Sequence, residues 1–507
     1  MASHSITWDR ALPITAGLLS LLVGLAAVSH ESLWIDEANS ALKAMQPSLV
    51  AWWNVLAAEK GSDLQMPLFM LQLWAWTKIV GANEFALRSA NIVWFCVGQC
   101  ALAYALRRTP GRALLILTLG SISPLLWYYL NDARPYLMQF AGACILGAVI
   151  FRAVEEACDA VRPVLLWAFG AGLIILCGSS LLGVIWAAGA IAAWWYLVRD
   201  ELSRLRSFRS FLPVAATLTL LGLLGGFYLW TVMLGTGASA IGNTGLRNVA
   251  FIGYELLGGA GLGPGRLRIR EEGFEAFREN GTLFLLPALG VILTGGILLY
   301  GARAAMREMS TRAQVAAFTY SIPPALLLLA LGYWQHFRLL GRHFIPLVPP
   351  LLGLLVLGIS RLWLRQRTAA ISTAMALLTA WLASSLALRF CDRHRKDDYR
   401  SAAEAARAGL AQKEIVWWSA DRAAALYYHV PVSVAPEQNA VTLVLRPLPD
   451  ELEPLPRPDM VISSKPDIYD GRADALGAYL AEHRFTRVRD LPAFTIWRKA
   501  ADPSEPR

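Results

Sequence analysis

The sequence predicts an α-helical polytopic membrane protein with a small C-terminal α/β domain outside the membrane. Three observations predict it. Of 507 residues, 56% are hydrophobic and only 16% are charged, whereas a soluble domain carries about 25% charged residues. The apolar residues gather into runs near the ~20 residues that a helix needs to cross a bilayer. Beyond residue 390 the pattern changes to short apolar segments separated by polar helical stretches. The mean hydropathy of +0.45 excludes a disordered, collagenous or disulfide-scaffolded chain.

Eleven runs read as spans: roughly 12–29, 85–106, 113–130, 136–151, 163–179, 181–198, 212–234, 282–302, 314–333, 344–360 and 368–388. The fifth and sixth form a tight hairpin around Gly178-Ser179-Ser180 and sit at the ~17-residue lower limit for spanning. Ala27-Val28-Ser29 before His30 looks like a signal-peptide cleavage site. The run before it is long enough to cross, so it reads as a retained first span.

Charge sets the orientation. The net charge is +9, and residues 1–389 carry 29 Lys and Arg against 19 Asp and Glu, while 390–507 carry 17 against 18. The excess therefore belongs to the membrane part, which argues against nucleic acid as a partner. Arg107, Arg108 and Arg112 fall in one loop, and Arg199, Arg204, Arg206 and Arg209 in another. Arg303, Arg307 and Arg312 follow, then Arg361, Arg365 and Arg367. All lie on one side in the eleven-span reading, and basic loops mark the cytoplasmic side. The N-terminus is then cytoplasmic and the tail 390–507 outside the cytoplasm.

Two outer segments exceed simple connectors. Residues 30–84 hold Trp34, Trp52, Trp53, Trp74 and Trp76 among apolar residues, which suits helices lying at headgroup depth. Residues 235–281 are rich in Gly and Arg. In the tail, Ile415–Trp418, Val441–Leu445, Met460–Ile462 and Phe494–Trp497 read as strands, and 399–411, 420–428 and 472–483 as helices. Cys96, Cys100, Cys144 and Cys177 lie in apolar runs, Cys158 in a polar loop and Cys391 in the tail. Without a Cys-x-x-Cys pair they indicate neither zinc nor a disulfide framework.

Four features carry candidate chemistry. Asp36-Glu37 follows the first span. Adjacent carboxylates at a membrane boundary either mark a span end in solvent or act as base toward an acceptor. Asn131-Asp132-Ala133-Arg134-Pro135-Tyr136 lies between the third and fourth spans, after Ser123-Pro124. Arg134 either grips a phosphate or carboxylate, or snorkels beside an interfacial Tyr136. Gly258-Gly-Ala-Gly-Leu-Gly-Pro-Gly265 precedes Arg266, Arg268 and Arg270. That combination can present backbone N–H groups and guanidinium groups to an anion, or rest on lipid headgroups. It is no Walker loop, since no Gly-Lys-Ser/Thr follows. His336, Arg338, Arg342 and His343 meet where the ninth and tenth spans join. The two histidines lack the companions of a metal site, so no metal ligand is assigned. All four features fall on the outer face. Arginines there could neutralise a departing lipid phosphate.

At these residues the sequence resembles the GT-C superfamily of polytopic glycosyltransferases. It is similar in particular to bacterial members related to protein O-mannosyltransferases and to the aminoarabinose transferase of lipid A. The resemblance rests on Asp36-Glu37, Asp63-Leu-Gln-Met-Pro-Leu-Phe69, Glu84-Phe-Ala-Leu-Arg88, Ser123-Pro124 with Asp132-Ala-Arg-Pro-Tyr136, and Gly341-Arg-His-Phe-Ile-Pro346, in order over roughly 10–390. It implies a GT-C-type catalytic domain of about eleven spans over 1–389, joined to the small α/β domain of 390–507. It implies a donor sugar on polyprenyl phosphate, an extracytoplasmic acceptor (lipid, polysaccharide or protein) and inversion at the anomeric carbon.

Residue by residue, the resemblance puts catalysis on Asp36, with Glu37 beside it. Arg134, with Arg266, Arg268, Arg270 and Arg342, would hold the donor phosphate. Asp63, Asp132, Tyr136 and His343 are further site candidates. No nucleotide or redox cofactor is implied, and a divalent cation serves some members of the superfamily and not others. Departures exist. Gln65-Met66-Pro67 stands where many relatives have His-Pro-Pro, and Asn131-Asp132 where Gln-Glu is common. The tail shows neither a β-trefoil insert nor the motifs of a nameable domain.

Two other classes compete. A lipid-linked sugar transporter or flippase would place charges at the midplane. Here the apolar stretches hold mainly Arg88, Asn91, Gln99 and Glu255, with Arg88 and Glu255 near the ends. A non-catalytic scaffold of an envelope polysaccharide machine would have no reason to keep Asp36, Arg134 and the arginine loop.

Overall fold

The structure is a computed structural model, and it describes residues 3–155, 162–201, 208–235, 244–278, 281–464 and 474–500. Cys158, Arg204 and Arg206, residues 236–243 and 279–280 of the Gly/Arg-rich segment, and the start of the 472–483 helix lie outside the described residues. The chain divides into two compact units. The first holds Met1–Ser29, Pro47–Gly263 and Gly281–Phe390; the second gathers His30–Gln46, Pro264–Asn280 and Cys391–Arg507.

The first unit is helical throughout. Its helix starts follow local chemistry. Ser48 and Asn83 cap the helices Leu49–Glu59 and Glu84–Ala105, accepting the N–H of Ala51 and Ala86. Pro67, Pro110, Pro124 and Pro163 each open a helix, where the missing N–H costs nothing. Seven described helices are long and apolar enough to cross a membrane: Glu84–Ala105, Tyr136–Glu155, Arg209–Met233, Gly281–Glu308, Thr311–Trp334, Gly341–Arg365 and Arg367–Phe390. The pair Pro110–Ser121 and Pro124–Leu130, bent by 53°, makes an eighth candidate. The chain is a multi-pass membrane protein on this pattern.

A helix stands at each of the eleven expected positions, and among the described residues seven, or eight with the bent pair, have the length and apolarity of a full span. The first helix runs Ser3–Ala27, while Pro163–Ser179 and Gly183–Val198 have 17 and 16 residues. Pro124 supplies the physical reason for the break in the third run: its ring cannot continue the preceding helix.

Burial separates centre from rim. Tyr136–Glu155 is 78% buried over its apolar window, against 17% for Arg209–Met233 and for Gly281–Glu308. Leu218, Leu223, Leu285 and Ile292 are exposed on those outer helices. Such a rim would be costly in water and suits lipid. Gly142 and Gly172 let the helices Tyr136–Glu155 and Pro163–Ser179 approach closely, each lying against the other's backbone carbonyl.

In the second unit six strands form one sheet: β1 Val416–Ser419, β2 Val432–Ser433, β3 Val441–Leu443, β4 Met460–Ser464, β5 Phe485–Leu491 and β6 Phe494–Lys499. The order is β2-β3-β1-β4-β6-β5. The first four are parallel, and β6 runs antiparallel to β4 and β5. In β1, Val416, Trp417 and Trp418 are all buried, as a parallel central strand requires. Tyr399 packs edge-on to Phe494 at 4.7 Å and, with Trp418, anchors the helix Tyr399–Ala411 to the sheet. The α/β expectation for the tail is met. β2 and β5 are additions to the strands read from sequence.

Candidate functional site

In the first unit the site is built around the loop that follows the broken helix pair. Asn131, Asp132 and Arg134 are 8%, 2% and 6% exposed, although they lie in a polar loop. They are held from two directions. Asn91 donates its amide to the carbonyls of Asp132 at 2.5 Å and Tyr129 at 3.3 Å. Ser29 donates to Asn131 Oδ1 through its N–H and its hydroxyl, at 2.9 and 2.8 Å. Arg88, fully buried, donates to the Ser29 carbonyl at 3.2 Å. Asn91, polar inside an apolar helix, thus serves this loop directly, and Arg88 supports it through Ser29.

That loop presents Arg134 to Asp63. Arg134 Nη1 lies 2.8 Å from Asp63 Oδ1, and Nη2 reaches Met66 Sδ at 3.7 Å. Asp63 sits in the one-turn helix Ser62–Gln65 that precedes Pro67. Tyr136 opens the next helix, and the Arg342 guanidinium stands 5.7 Å from its ring centroid, within cation–π range. The structure therefore brings together Asp63 with Arg134, and Tyr136 with Arg342.

Arg342 and His343 lie in the turn Gly341–Leu347. His343 Nδ1 accepts the Leu340 N–H at 3.0 Å and closes that turn, and its carbonyl accepts the Trp186 indole N–H at 3.2 Å. This is a holding role. Glu255, fully buried at the end of the helix Leu246–Leu256, accepts the Gly341 N–H at 2.8 Å. Sequence reading missed Glu255 as part of the site. The signal was a single carboxylate among the apolar residues Phe251, Ile252, Leu256 and Leu257.

The glycine run takes a packing role where it belongs to this unit. Gly258 has φ +84° and lies against the Trp381 indole, and Gly261 lies against the Ser384 carbonyl. Gly261 N–H donates to Ser384 Oγ at 3.0 Å, and that hydroxyl donates to the Gly258 carbonyl at 2.8 Å.

In the second unit Asp36 and Glu37 open the helix Ile35–Ala44. Their surroundings differ. Asp36 is half-buried. Glu37 is fully buried and takes two donors on Oε2: the Trp34 N–H at 3.3 Å and Lys396 Nζ at 3.0 Å. Asp36 and Lys43, two turns apart on one face, both act on Asp421, which caps the helix Arg422–Tyr427 by accepting the Ala424 N–H at 3.0 Å. Burial pushes the Asp421 carboxyl above its ordinary range. The N–H groups of Ala424 and Ala423 pull it down, Asp36 pushes it up again, and Lys43 lowers it.

Two of the arginines of 266–270 have carboxylate neighbours in this unit. Arg268 Nε contacts both oxygens of Glu272, at 3.1 and 2.9 Å. Arg270 Nη2 lies 2.9 Å from Asp397 Oδ1. Arg266 opens the helix Arg266–Glu272. Among the described residues no group of three His, Cys, Asp or Glu side chains is placed to hold a metal ion.

Neither a protein-family model nor a curated protein sequence matches the chain. Among solved structures, ArnT from Cupriavidus metallidurans bound to undecaprenyl phosphate matches over 100% of both chains at 13% identity, with a TM-score of 0.49. The same ArnT in the apo state matches 97% of this chain and 99% of its own, at 15% identity and a TM-score of 0.53. At such identity the likeness is one of fold. The chain has the fold of this ArnT over nearly its whole length.

Proposed function

We propose that the chain is an inner-membrane glycosyltransferase that moves a sugar from a polyprenyl-phosphate carrier to an acceptor outside the cytoplasm, with inversion. The acceptor's lone pair attacks the anomeric carbon. The bond from that carbon to the phosphate oxygen breaks, and its electron pair leaves with polyprenyl phosphate. Asp36 orients the acceptor and takes its proton. Arg134 and Arg342 meet the charge that develops on the leaving phosphate, with Arg266, Arg268 and Arg270 as further phosphate ligands. The donor class and the role of Asp36 come from the motif resemblance. The basic loops support an N-terminus in the cytoplasm and a C-terminal domain in the periplasm.

The observation that carries the reading is Arg134. A guanidinium only 6% exposed, fixed by Asp63 in a loop that Asn91, Asn131 and Ser29 hold rigid, is costly to build for a surface loop. It is suited to stabilising an anion without rearrangement, because its donors are already in place. Buried charge at the ends of apolar helices, on a fold shared with ArnT, is the arrangement a lipid-phosphate leaving group needs.

The test uses purified protein in detergent with a panel of polyprenyl-phosphate sugars and a membrane extract as acceptor source. Free polyprenyl phosphate is read by mass spectrometry. Release by the native chain should fall by about 100-fold or more in Arg134→Ala, the scale for losing one preorganised donor. Asp36→Asn should fall as far. Equal release in native and both variants would sink these assignments. Labelled lipid-linked sugar crossing vesicle membranes without consumption would favour a flippase.

A further inference from the structure

The second unit joins the catalytic candidate Asp36 to the C-terminal domain through a set of buried and half-buried contacts. Segment His30–Trp34 runs directly into the helix that carries Asp36. Three of its residues, His30, Ser32 and Leu33, are bonded to residues from the tail. The Tyr428 phenol oxygen accepts the Leu33 N–H at 2.8 Å and pairs with the Ser32 hydroxyl at 3.1 Å. Ser32 Oγ also accepts the Arg400 backbone N–H at 3.1 Å, and the Arg400 guanidinium donates to the His30 carbonyl at 2.6 Å. Lys396 holds Glu37, the residue after Asp36, at 3.0 Å, with side chains 8% and 0% exposed. The helix Arg422–Tyr427 packs on the helix Ile35–Ala44 itself.

We infer that the C-terminal domain is a positioning device for Asp36, and that Tyr428, Arg400 and Lys396 are its positioning residues. The inference rests on the role proposed for Asp36. The physical reason is where the bonds fall. They fix the backbone three residues before Asp36 and the side chain one residue after it. Between those points the helix start has no freedom to rotate, so the Asp36 carboxylate keeps one direction. A misplacement of about 1 Å at a reacting group can cost about 100-fold in rate. The buried Lys396–Glu37 pair acts directly on the helix start, because Glu37 Oε2 also accepts the Trp34 N–H. This gives Glu37 a supporting role beside Asp36.

Full-length protein tests it with three variants. Tyr428→Phe keeps the ring and removes the oxygen that Leu33 and Ser32 use. Lys396→Met keeps the chain length and removes the charge, and Lys396→Arg restores it. Two readouts are taken: hydrogen exchange of peptides covering 30–46, and kcat and donor KM for polyprenyl phosphate release. Exchange in 30–46 should quicken about tenfold in Tyr428→Phe and Lys396→Met. In both, kcat should fall about tenfold with donor KM within about twofold of native. Lys396→Arg should bring both readouts most of the way back. Unchanged exchange in 30–46, an equal loss of protection across the helices of the first unit, or native kcat in both variants would each overturn the inference. If the native chain releases no polyprenyl phosphate, the transfer reading fails, and the exchange result alone then decides whether the tail holds this helix.

Discussion

Arg134 and Asp63 form an ion pair at 2.8 Å with side chains only 7% and 4% exposed. Burial of this kind makes the two partners unequal to their sum. Removing one leaves the other charge uncompensated, at a cost of about 3–5 kcal/mol, while replacing both with apolar groups of similar volume is close to neutral. Asp63→Asn and Arg134→Met should therefore each lower the unfolding temperature in detergent clearly. The double variant Asp63→Leu with Arg134→Met should regain most of that loss and still release no polyprenyl phosphate. Single variants as stable as the native chain would show that the pair is not a buried one in the membrane.

How much of this was legible in the sequence depends on distance along the chain. Span positions follow from runs of apolar residues, a property of contiguous sequence, so a helix stands at each one. The span count was less legible. Whether 113–130 is one crossing or two short helices depends on the 53° bend after Ser123, and Pro124 only hints at it. Arg134 and Asp63 each stood out as charges beside apolar runs, but they are 71 positions apart, and nothing local pairs them. The arginines of 266–270 show the same split. Arg268 and Glu272 are four apart on a helix, a pairing that spacing alone offers. Arg270 meets Asp397 across 127 positions. β5 was missed because Phe485-Thr-Arg-Val-Arg-Asp-Leu491 is an exposed edge strand, and charged edges look like loops.

The glycine run tests packing against anion binding. Gly261 lies so close to the Ser384 carbonyl that a Cβ would overlap it, whereas a Cβ on Gly253 meets nothing within 4 Å. Gly261→Ala should destabilise by about 1–3 kcal/mol, as overpacking does. Gly253→Ala, inside the helix Leu246–Leu256, should stabilise by about 0.5–1 kcal/mol. Thermal unfolding of the two variants checks the opposite signs. A Gly261→Ala protein of native stability with a raised donor KM would return this glycine to a phosphate-binding role.

Asp421 gives a pH dependence with a definite sign. Burial holds its carboxyl above the ordinary 3.8, with Asp36 adding to the rise and Lys43 opposing it. The folded state then binds this proton more tightly than the unfolded chain. Its contribution to stability is fully present below about pH 4, near the unfolded value, and is lost as pH climbs through the raised folded value. Asp421→Asn keeps a good helix cap and has no proton to lose. The stability of the native chain relative to Asp421→Asn should therefore fall with rising pH across the acid range and then level off. Unfolding temperatures of both proteins from pH 3.5 upward, on the order of half a unit apart, would show it. Parallel curves would mean that Asp421 has the same affinity for its proton in both states.

Glu255 and Gly341 offer the sharpest separation of geometry from charge. Glu255 Oε2 accepts the Gly341 N–H at 2.8 Å, and that N–H begins the turn carrying Arg342 and His343. Glu255→Gln preserves an acceptor of the same reach. It should fold with a loss below about 1 kcal/mol and keep the Arg342 turn in place, because a neutral hydrogen bond replaces a charge-assisted one. Glu255→Ala strands a buried N–H, which costs about 1–3 kcal/mol. It also frees the turn, so donor KM should rise if Arg342 holds the phosphate. Gly341→Ala attacks the same contact from the other side, since its Cβ would sit 2.6 Å from Glu255 Oε2. Its loss should match that of Glu255→Ala, and combining the two should cost less than their sum, because both break one contact. Additive losses would show that Glu255 and Gly341 act on separate parts of the fold, and Arg342 would then need another support.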